Sequence, residues 1–427
     1  MNHSFLLAIV ISIQLFAAFI TQVIILRNIG PGVETDIFVI TQSVSVVVVS
    51  IIQAGLQSIW MPELSRSSSD PQKRRSTLSK ALGQAFILAV ASFCFLITIS
   101  WFWVPLFLTG GEQILTSAIF YFIGFSISSI FTLLSLQLTL NLRATGRFIL
   151  VEGLNSAFVL ASLIVVYIVT SRKNLDLVLV IIVIRSVLFF VAQMKVCDWP
   201  LISIKKGCQE VHFWRKMLPV IGSAGLYKTS PLVDRYWAAQ TPAGGVTLFN
   251  FAQTAVGAIS TLLERSICVP ASAGFGAWVQ ENKFQRIKIV YRKRIFAISL
   301  LVVCYVISLI ILRPLFLDIS QYVLNISVDH ALQLWWVCIL LSGYLHVAAS
   351  GTLPVAILHA LNDTKTPVII GVCGFFFSLV IKALAFIYYD IEGLVLSTSF
   401  YYIGNMILMV MYCEKRLNEA ASGFYKA

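Results

Sequence analysis

Charge is what this sequence has least of. Only 12% of its 427 residues are Asp, Glu, Lys or Arg and 58% are hydrophobic, whereas soluble domains carry ~25% charged residues. That excludes an ordinary water-soluble globule. Acid is scarcer than base, 19 Asp and Glu against 31 Lys and Arg, which leaves a net charge of +12. In a soluble protein this excess would suggest nucleic acid. Here no nucleic-acid partner is expected, because the basic residues fall mainly in short loops between apolar runs. The eight cysteines, at 94, 197, 208, 268, 304, 338, 373 and 413, show neither paired metal-ligand spacing nor a disulfide framework. They read as small apolar fillers, so no metal site and no cofactor is expected. A secretory leader is lacking too: the run Met1 to Phe19 has no basic start and no small-residue cleavage site, and it reads as a first retained span.

What is present is apolar length. Mean hydropathy is +0.88, and a helix rising ~1.5 Å per residue needs ~20 apolar residues to cross a ~30 Å hydrocarbon core. The runs from Ser4 to Leu26 and Ile37 to Trp60 qualify, joined by a Gly30-Pro31-Gly32 turn. Further runs follow at 81–108, 113–140 (after a Gly110-Gly111 turn), 148–170, 178–196, 217–238, the stretch after the TPAGG turn, 295–316, 331–361, 367–388 and 394–413. The expected fold is an all-α polytopic membrane protein of about twelve spans. The loops that would face the cytoplasm carry Arg66, Lys73, Arg74, Arg75, Lys80, Arg143, Arg147, Lys205, Lys206, Arg215, Lys216, six Lys or Arg between 281 and 294, and Lys365, with Lys415, Arg416 and Lys426 in the tail. The opposite loops carry Arg27, Arg172, Lys173 and Arg313. This asymmetry places both termini in the cytoplasm, and the clusters read as topology signals beside anionic lipid.

The chain also repeats itself. PGVETDIFVITQ (Pro31 to Gln42) lies over PAGGVTLFNFAQ (Pro242 to Gln253) at an offset of 211, and LRATGRF lies over LNDTKTP, matching Leu142 with Leu361 and Thr145 with Thr364, at 219. Six spans per copy make the repeat parallel. The expected domains are a six-helix lobe 1–200, a cytoplasmic linker 201–216 and a second six-helix lobe 217–427, pseudo-symmetric around a central cavity.

Three stretches, RNIGPGVETDIF from Arg27, SPLVDRYWAAQTPAGGVTLFNFAQ from Ser230 and LPVAILHALNDTKTPVIIG from Leu353, together resemble the lipid II flippase branch of the multidrug/oligosaccharidyl-lipid/polysaccharide (MOP) exporter superfamily. The resemblance implies a two-lobe exporter in a bacterial inner membrane, moving an undecaprenyl-diphosphate-linked oligosaccharide by alternating access. It implies partners in membrane lipids, the lipid-linked substrate and polysaccharide-assembly proteins. That branch carries cavity arginines on helices one, two and eight. Here the corresponding stretches, IQLFAAFITQVII, QSVSVVVVSIIQ and NFAQTAVGA, contain none, with Thr254 standing at the helix-eight position, and the two further helices of that branch are not expected among about twelve spans. Both departures favour a surface-polysaccharide repeat unit over a peptidoglycan precursor as cargo.

Charged side chains inside spans cost several kcal/mol unless they face a cavity or a partner. Lys228, about twelve residues into its span, is the leading cavity candidate, and Gly225 and Pro231 around it predict a bend or break. Arg235, seven residues on, shares its helix face. With Arg185 and Asp234 they form the expected substrate set, the bland alternative being that Lys228 merely pairs with Asp234 or Glu264. Asp36 reads as the N-cap of span two, or as an outer gate pairing with Arg27 or a charge from the opposite lobe. Glu152 is the candidate for a coupling H+ or Na+. Glu264 and Arg265, adjacent and so pointing apart, read as a gate or interfacial pair, and Lys382 as a cleft residue or one that snorkels to the surface.

Two other functions are weighed against this. A multidrug or cation antiporter of the same superfamily needs an acidic cavity, and the intramembrane balance here is basic. An integral membrane glycosyltransferase or polymerase needs a sizeable outer catalytic loop, and the longest outer segment, Arg313 to His330, offers only Asp318 and Asp329. No catalytic residue and no enzyme activity is expected.

Overall fold

The structure is a computed structural model that describes residues 3–67, 70–107, 112–204, 211–272 and 274–422. Among these no strand forms. The Gly110-Gly111 turn, Lys426 and residues 205–210 of the expected linker, Lys205 and Lys206 among them, lie outside the described residues. The helices are α1 (His3–Ile29), α2 (Val33–Arg66), α3 (Pro71–Phe107), α4 (Glu112–Ala144), α5 (Phe148–Thr170), α6 (Leu175–Val196), α7 (Val211–Ala238) and α8 (Gly245–Leu263). After a π-helical turn, Glu264–Cys268, come α9 (Val269–Ser272), α10 (Phe275–Gln280), α11 (Phe284–Ile311), α12 (Arg313–Leu324), α13 (Val328–Leu340), α14 (Ser342–Ser350), α15 (Thr352–Ala360) and α16 (Lys365–Ala421).

About twelve crossings are accounted for. Nine of the described helical stretches are long and apolar enough to span a membrane. One of them, α16, has 57 residues and would measure ~85 Å if straight, far beyond one bilayer. It breaks at Asp390, whose backbone leaves the helical region (φ 53°, ψ −140°), into two spans. The bent pair α12 and α13 supplies a further crossing, continued through α14 and α15, and α7 is the twelfth. Large apolar side chains stand bare along these helices, Ile164 at 63% and Ile387 at 68% exposed, as surfaces whose solvent is hydrocarbon require.

The chain divides into two compact units, Met1–Thr247 and Leu248–Ala427. In the first, α7 packs along α2, so this unit reaches past residue 200. Near the basic end, Leu56, Trp60 and Leu64 of α2 bury with Leu82 and Ala85 of α3, Leu133 and Leu138 of α4, and Phe213 and Met217 of α7. At the other end, Ile37 and Phe38 meet Tyr121, Phe122 and Phe125 of α4, Leu179 of α6 and Leu232 of α7. In hydrocarbon such contacts hold by close van der Waals packing more than by expulsion of water. Gly124 is needed for that reason: a Cβ there would lie 2.4 Å from the Leu179 side chain.

Three expectations are corrected. The break at Gly225 and Pro231 does not occur, since α7 runs unbroken from Val211 to Ala238. Freed backbone groups find no water in a bilayer, and packing along α2 keeps the helix continuous through Pro219 and Pro231. The interruptions fall instead at the π-helical turn of span eight and at Leu341 and Gly351 in span ten. The segment after Arg313 is no loop but a helix, α12, turned 120° from α13 and anchored where Arg313 lies 4.8 Å over the Trp335 ring. Finally, the turns ending α4 and α15 are of one kind, but in another register. Each has a left-handed residue, Gly146 (φ 75°) or Asn362 (φ 59°). The next amide then donates to the carbonyl five residues back, Arg147 to Leu142 and Asp363 to Leu358, both at 2.9 Å, as in a Schellman C-cap. This geometry matches Leu142 with Leu358, three residues from the match made on sequence.

Candidate functional site

The first turn of α2 carries two acids with different errands. Glu34 accepts from the Tyr121 hydroxyl at 3.4 Å. Asp36 does not cap α2, because Thr35 does: its Oγ1 accepts from the Gly32 amide at 2.9 Å. Asp36 instead crosses to the start of α8. Its Oδ2 accepts from the Gly244 amide at 2.7 Å, and its Oδ1 accepts from the Thr247 amide at 2.8 Å and the Thr247 hydroxyl at 2.5 Å. A carboxylate at a helix N-terminus satisfies orphan amides and meets the positive end of the helix dipole. The chain approaches so closely here that a Cβ on Gly244 (φ 97°) would lie 2.8 Å from the Pro31 Cβ. Pairing of Asp36 with Arg27 is absent among the described residues, and the Gly244 amide and the Thr247 amide and hydroxyl are among its donors. Thr247 is the functional partner that residue-by-residue reading missed. A signal for it existed, since laying Pro31 to Gln42 over Pro242 to Gln253 sets Asp36 against Thr247, 211 residues apart.

Of the four expected substrate residues, three lie on α7. Asp234 is buried at 2% exposure, and the Arg235 guanidinium donates back to the Pro231 carbonyl at 3.1 Å. Lys228 is half-buried and, among the described residues, meets no hydrogen-bond or ion-pair partner, neither Asp234 nor Glu264. Arg185, on α6, lines a separate cavity of about 250 Å³ with Gln53 of α2, Ser135 and Thr139 of α4, and Asn155 of α5. Among the described residues Arg185 too has no protein partner. A seam of hydrogen bonds orders the helix faces around it, Ser128 to Ser186 at 2.7 Å and Gln193 to Thr139 at 2.8 Å, while the buried Ser135 hydroxyl has none.

The remaining candidates are held differently. Glu152 accepts from Arg143 at 2.6 Å, which ties the start of α5 to the end of α4 and leaves that carboxylate already engaged. Glu264, in the π-helical turn, hydrogen-bonds Thr352, just past the break at Gly351. The neighbouring Cys268 thiol donates to the Ala349 carbonyl at 3.1 Å. Interrupted helices at such places offer backbone groups that a continuous helix would keep to itself. Lys382 does not snorkel: it is fully buried, with Nζ 5.4 Å over the Tyr401 ring, an arrangement that stabilises an enclosed cation.

In the loop before α16, Asp363 accepts from the Thr366 amide at 3.0 Å, the Thr366 hydroxyl at 2.8 Å and Arg416 at 3.1 Å. Burial alone would raise this carboxyl, but the two Thr366 bonds and Arg416 outweigh it and hold it below its usual range. A lowered folded-state value contributes stability above the unfolded carboxylate pKa of about 3.9, and that contribution disappears as pH falls through the lowered value. Asp363→Asn should therefore cost about 1–2 kcal/mol at neutral pH. In thermal unfolding, the difference from wild type should begin to shrink as pH falls below about 3.9 and vanish once pH is below the lowered folded-state value; a gap that does not shrink in acid would show that the clasp does not act through its charge.

No family model and no curated protein matches the sequence. Solved structures do match the fold. A lipid II flippase, MurJ, in an inward closed conformation superposes with a TM-score of 0.79 at 16% identity, over 98% of this chain and 90% of that one. An inward-facing multidrug resistance MATE transporter of the MOP superfamily gives 0.74 at 13% identity, over 94% of each chain. A MOP superfamily transporter from Pyrococcus furiosus, described as having a binding pocket of reverse polarity, gives 0.58 at 14%, over 98% and 95%. The chain has the fold of the MOP-superfamily transporters, the superfamily that its motifs resemble.

Proposed function

We propose that this protein is a flippase that carries an undecaprenyl-diphosphate-linked oligosaccharide, a surface-polysaccharide unit, across the bacterial inner membrane by alternating access. Both termini lie in the cytoplasm, the six-helix lobes 1–200 and 217–427 are the parts that move, and H+ or Na+ drives the cycle. The reading rests on one observation: Arg185 and Lys228 are cations on membrane-spanning helices that meet no protein counter-charge among the described residues. Retaining an unpaired cation there is costly, and an anionic cargo offsets that cost each time it binds. A diphosphate supplies the acceptor oxygens that a guanidinium and an ammonium can share. The fold shared with a lipid II flippase supports the same reading. Similar folds also include a multidrug resistance transporter; a multidrug or cation antiporter would instead favour carboxylates in these positions.

The test is reconstitution. Vesicles containing the full chain should move a fluorescent undecaprenyl-diphosphate oligosaccharide between leaflets in response to an ion gradient and leave a cationic dye unmoved. Transport of the dye with no movement of the lipid would overturn the proposal.

A further inference from the structure

A second cavity, of about 290 Å³, lies at the basic end of the first unit, apart from Arg185 and α7. Arg74 and Arg75 from the first turns of α3 and Arg147 at the head of α5 line it, with Asn141 near the end of α4 and Asp198 just past α6. Basic residues at helix ends are ordinarily topology signals, and most arginines at such ends here have protein partners. Arg66 meets Glu63, Arg143 meets Glu152, Arg292 meets Glu414 and Arg416 meets Asp363. Arg74, Arg75 and Arg147 differ: they converge on one cavity from two helices, and none forms an ion pair among the described residues.

The cavity is built rather than left over. The left-handed Gly146 turn presents Arg147. Asp198 and Trp199 are consecutive left-handed residues (φ 57° and 47°) that swing the chain over α3. There the Ser203 carbonyl comes so close that a Cβ on Gly83 would lie 2.2 Å from it. The buried Asn141, 5% exposed, donates to the Cys197 sulfur at 3.6 Å, while its Oδ1 accepts from nothing. An unused buried acceptor calls for a donor. Three cations beside such acceptors fit a phosphate ester that also carries hydroxyl groups. The rim says where it comes from: Trp199 and Leu201, 56% and 76% exposed, are apolar side chains of the kind that settle at a membrane interface.

We propose that this cavity binds the phosphate of an anionic glycerol phospholipid head group from the adjoining leaflet, with Arg74, Arg75 and Arg147 on the phosphate and Asn141 and Asp198 accepting from the glycerol hydroxyls. The site is independent of the transported cargo, so binding rather than transport is measured. The purified full chain is titrated with phosphatidylglycerol and with phosphatidylcholine by native mass spectrometry. Losing two charge-assisted contacts in Arg74→Gln/Arg147→Gln should weaken phosphatidylglycerol binding by about tenfold or more. Arg66→Gln/Lys73→Gln removes as much charge from the same end without touching the cavity and should change it less than about twofold. Arg74→Lys/Arg147→Lys keeps the charge without the two-pronged geometry and should fall between, which separates recognition from a folding defect. A parallel arm adds inorganic phosphate and glycerol 3-phosphate to the chain in phosphatidylcholine. Cavity-dependent binding of phosphatidylglycerol alone supports a head-group site, and cavity-dependent binding of the soluble phosphates alone keeps the phosphate site but overturns the lipid as its source. Equal losses in the cavity and control variants overturn the proposal altogether.

Discussion

Asp36→Ala should release the start of α8 and raise access to the interior at this end of the molecule. The variant removes three hydrogen bonds to a buried carboxylate and leaves the Gly244 and Thr247 amides without their acceptor. Losing hydrogen bonds to a charged acceptor costs about 1.5–3 kcal/mol each, together a shift of roughly a hundredfold or more between closed and open forms. Ile40, one turn along α2 and only 3% exposed, is the reporter. In a cysteine-free background, a cysteine at Ile40 should react much faster with a membrane-impermeant thiol reagent once Asp36 is alanine. Asp36→Asn, which keeps one acceptor oxygen but loses the charge, should fall between. If the alanine variant inserts normally and its reporter stays as protected as wild type, the latch is not what keeps this end shut.

The second large effect concerns the two unpartnered cations. Lys228→Gln and Arg185→Gln should each slow movement of the diphosphate-linked lipid by about ten- to a hundredfold, since a charge-assisted hydrogen bond contributes about 1.5–3 kcal/mol. The double variant should fall to the rate of empty vesicles. Membrane yield and melting temperature should not drop, because neither side chain holds another residue in place, and both can rise when an unpaired cation is removed. That combination separates cargo binding from structural support. Arg235→Gln is the contrast: its guanidinium already serves the Pro231 carbonyl, so stability should move as well as rate. Wild-type rates in Lys228→Gln would remove α7 from the cargo path, and wild-type rates in both single variants would remove the flippase reading.

Hydropathy made most of the architecture legible, because in hydrocarbon a span has to be a helix and has to be long. Where reading failed, the deciding term was packing or backbone geometry. Pro231 promised a break that the contacts of α7 with α2 suppress, and the π-helical turn at Glu264 carries no breaker residue that would announce it, whereas the reversal at Asp390 falls in the gap between the apolar runs 367–388 and 394–413. Asp36 was recognisable as important from its place beside the Gly-Pro-Gly turn, but not whom it serves, since helix-capping partners come from residues distant in sequence. Lys382 looked like a side chain able to reach the surface, and only the position of Tyr401 on the other arm of α16 shows it enclosed.

The Asp36 and Thr247 bond also dictates which side chains can face each other here. Two aspartates would repel, and two threonines would leave the Gly244 and Thr247 amides with weak acceptors, so one acid opposite one hydroxyl is the combination that closes this contact. Exchanging the two, Asp36→Thr with Thr247→Asp, keeps the acid and the hydroxyl opposed but moves the carboxylate off the α2 side, away from the amides it now serves.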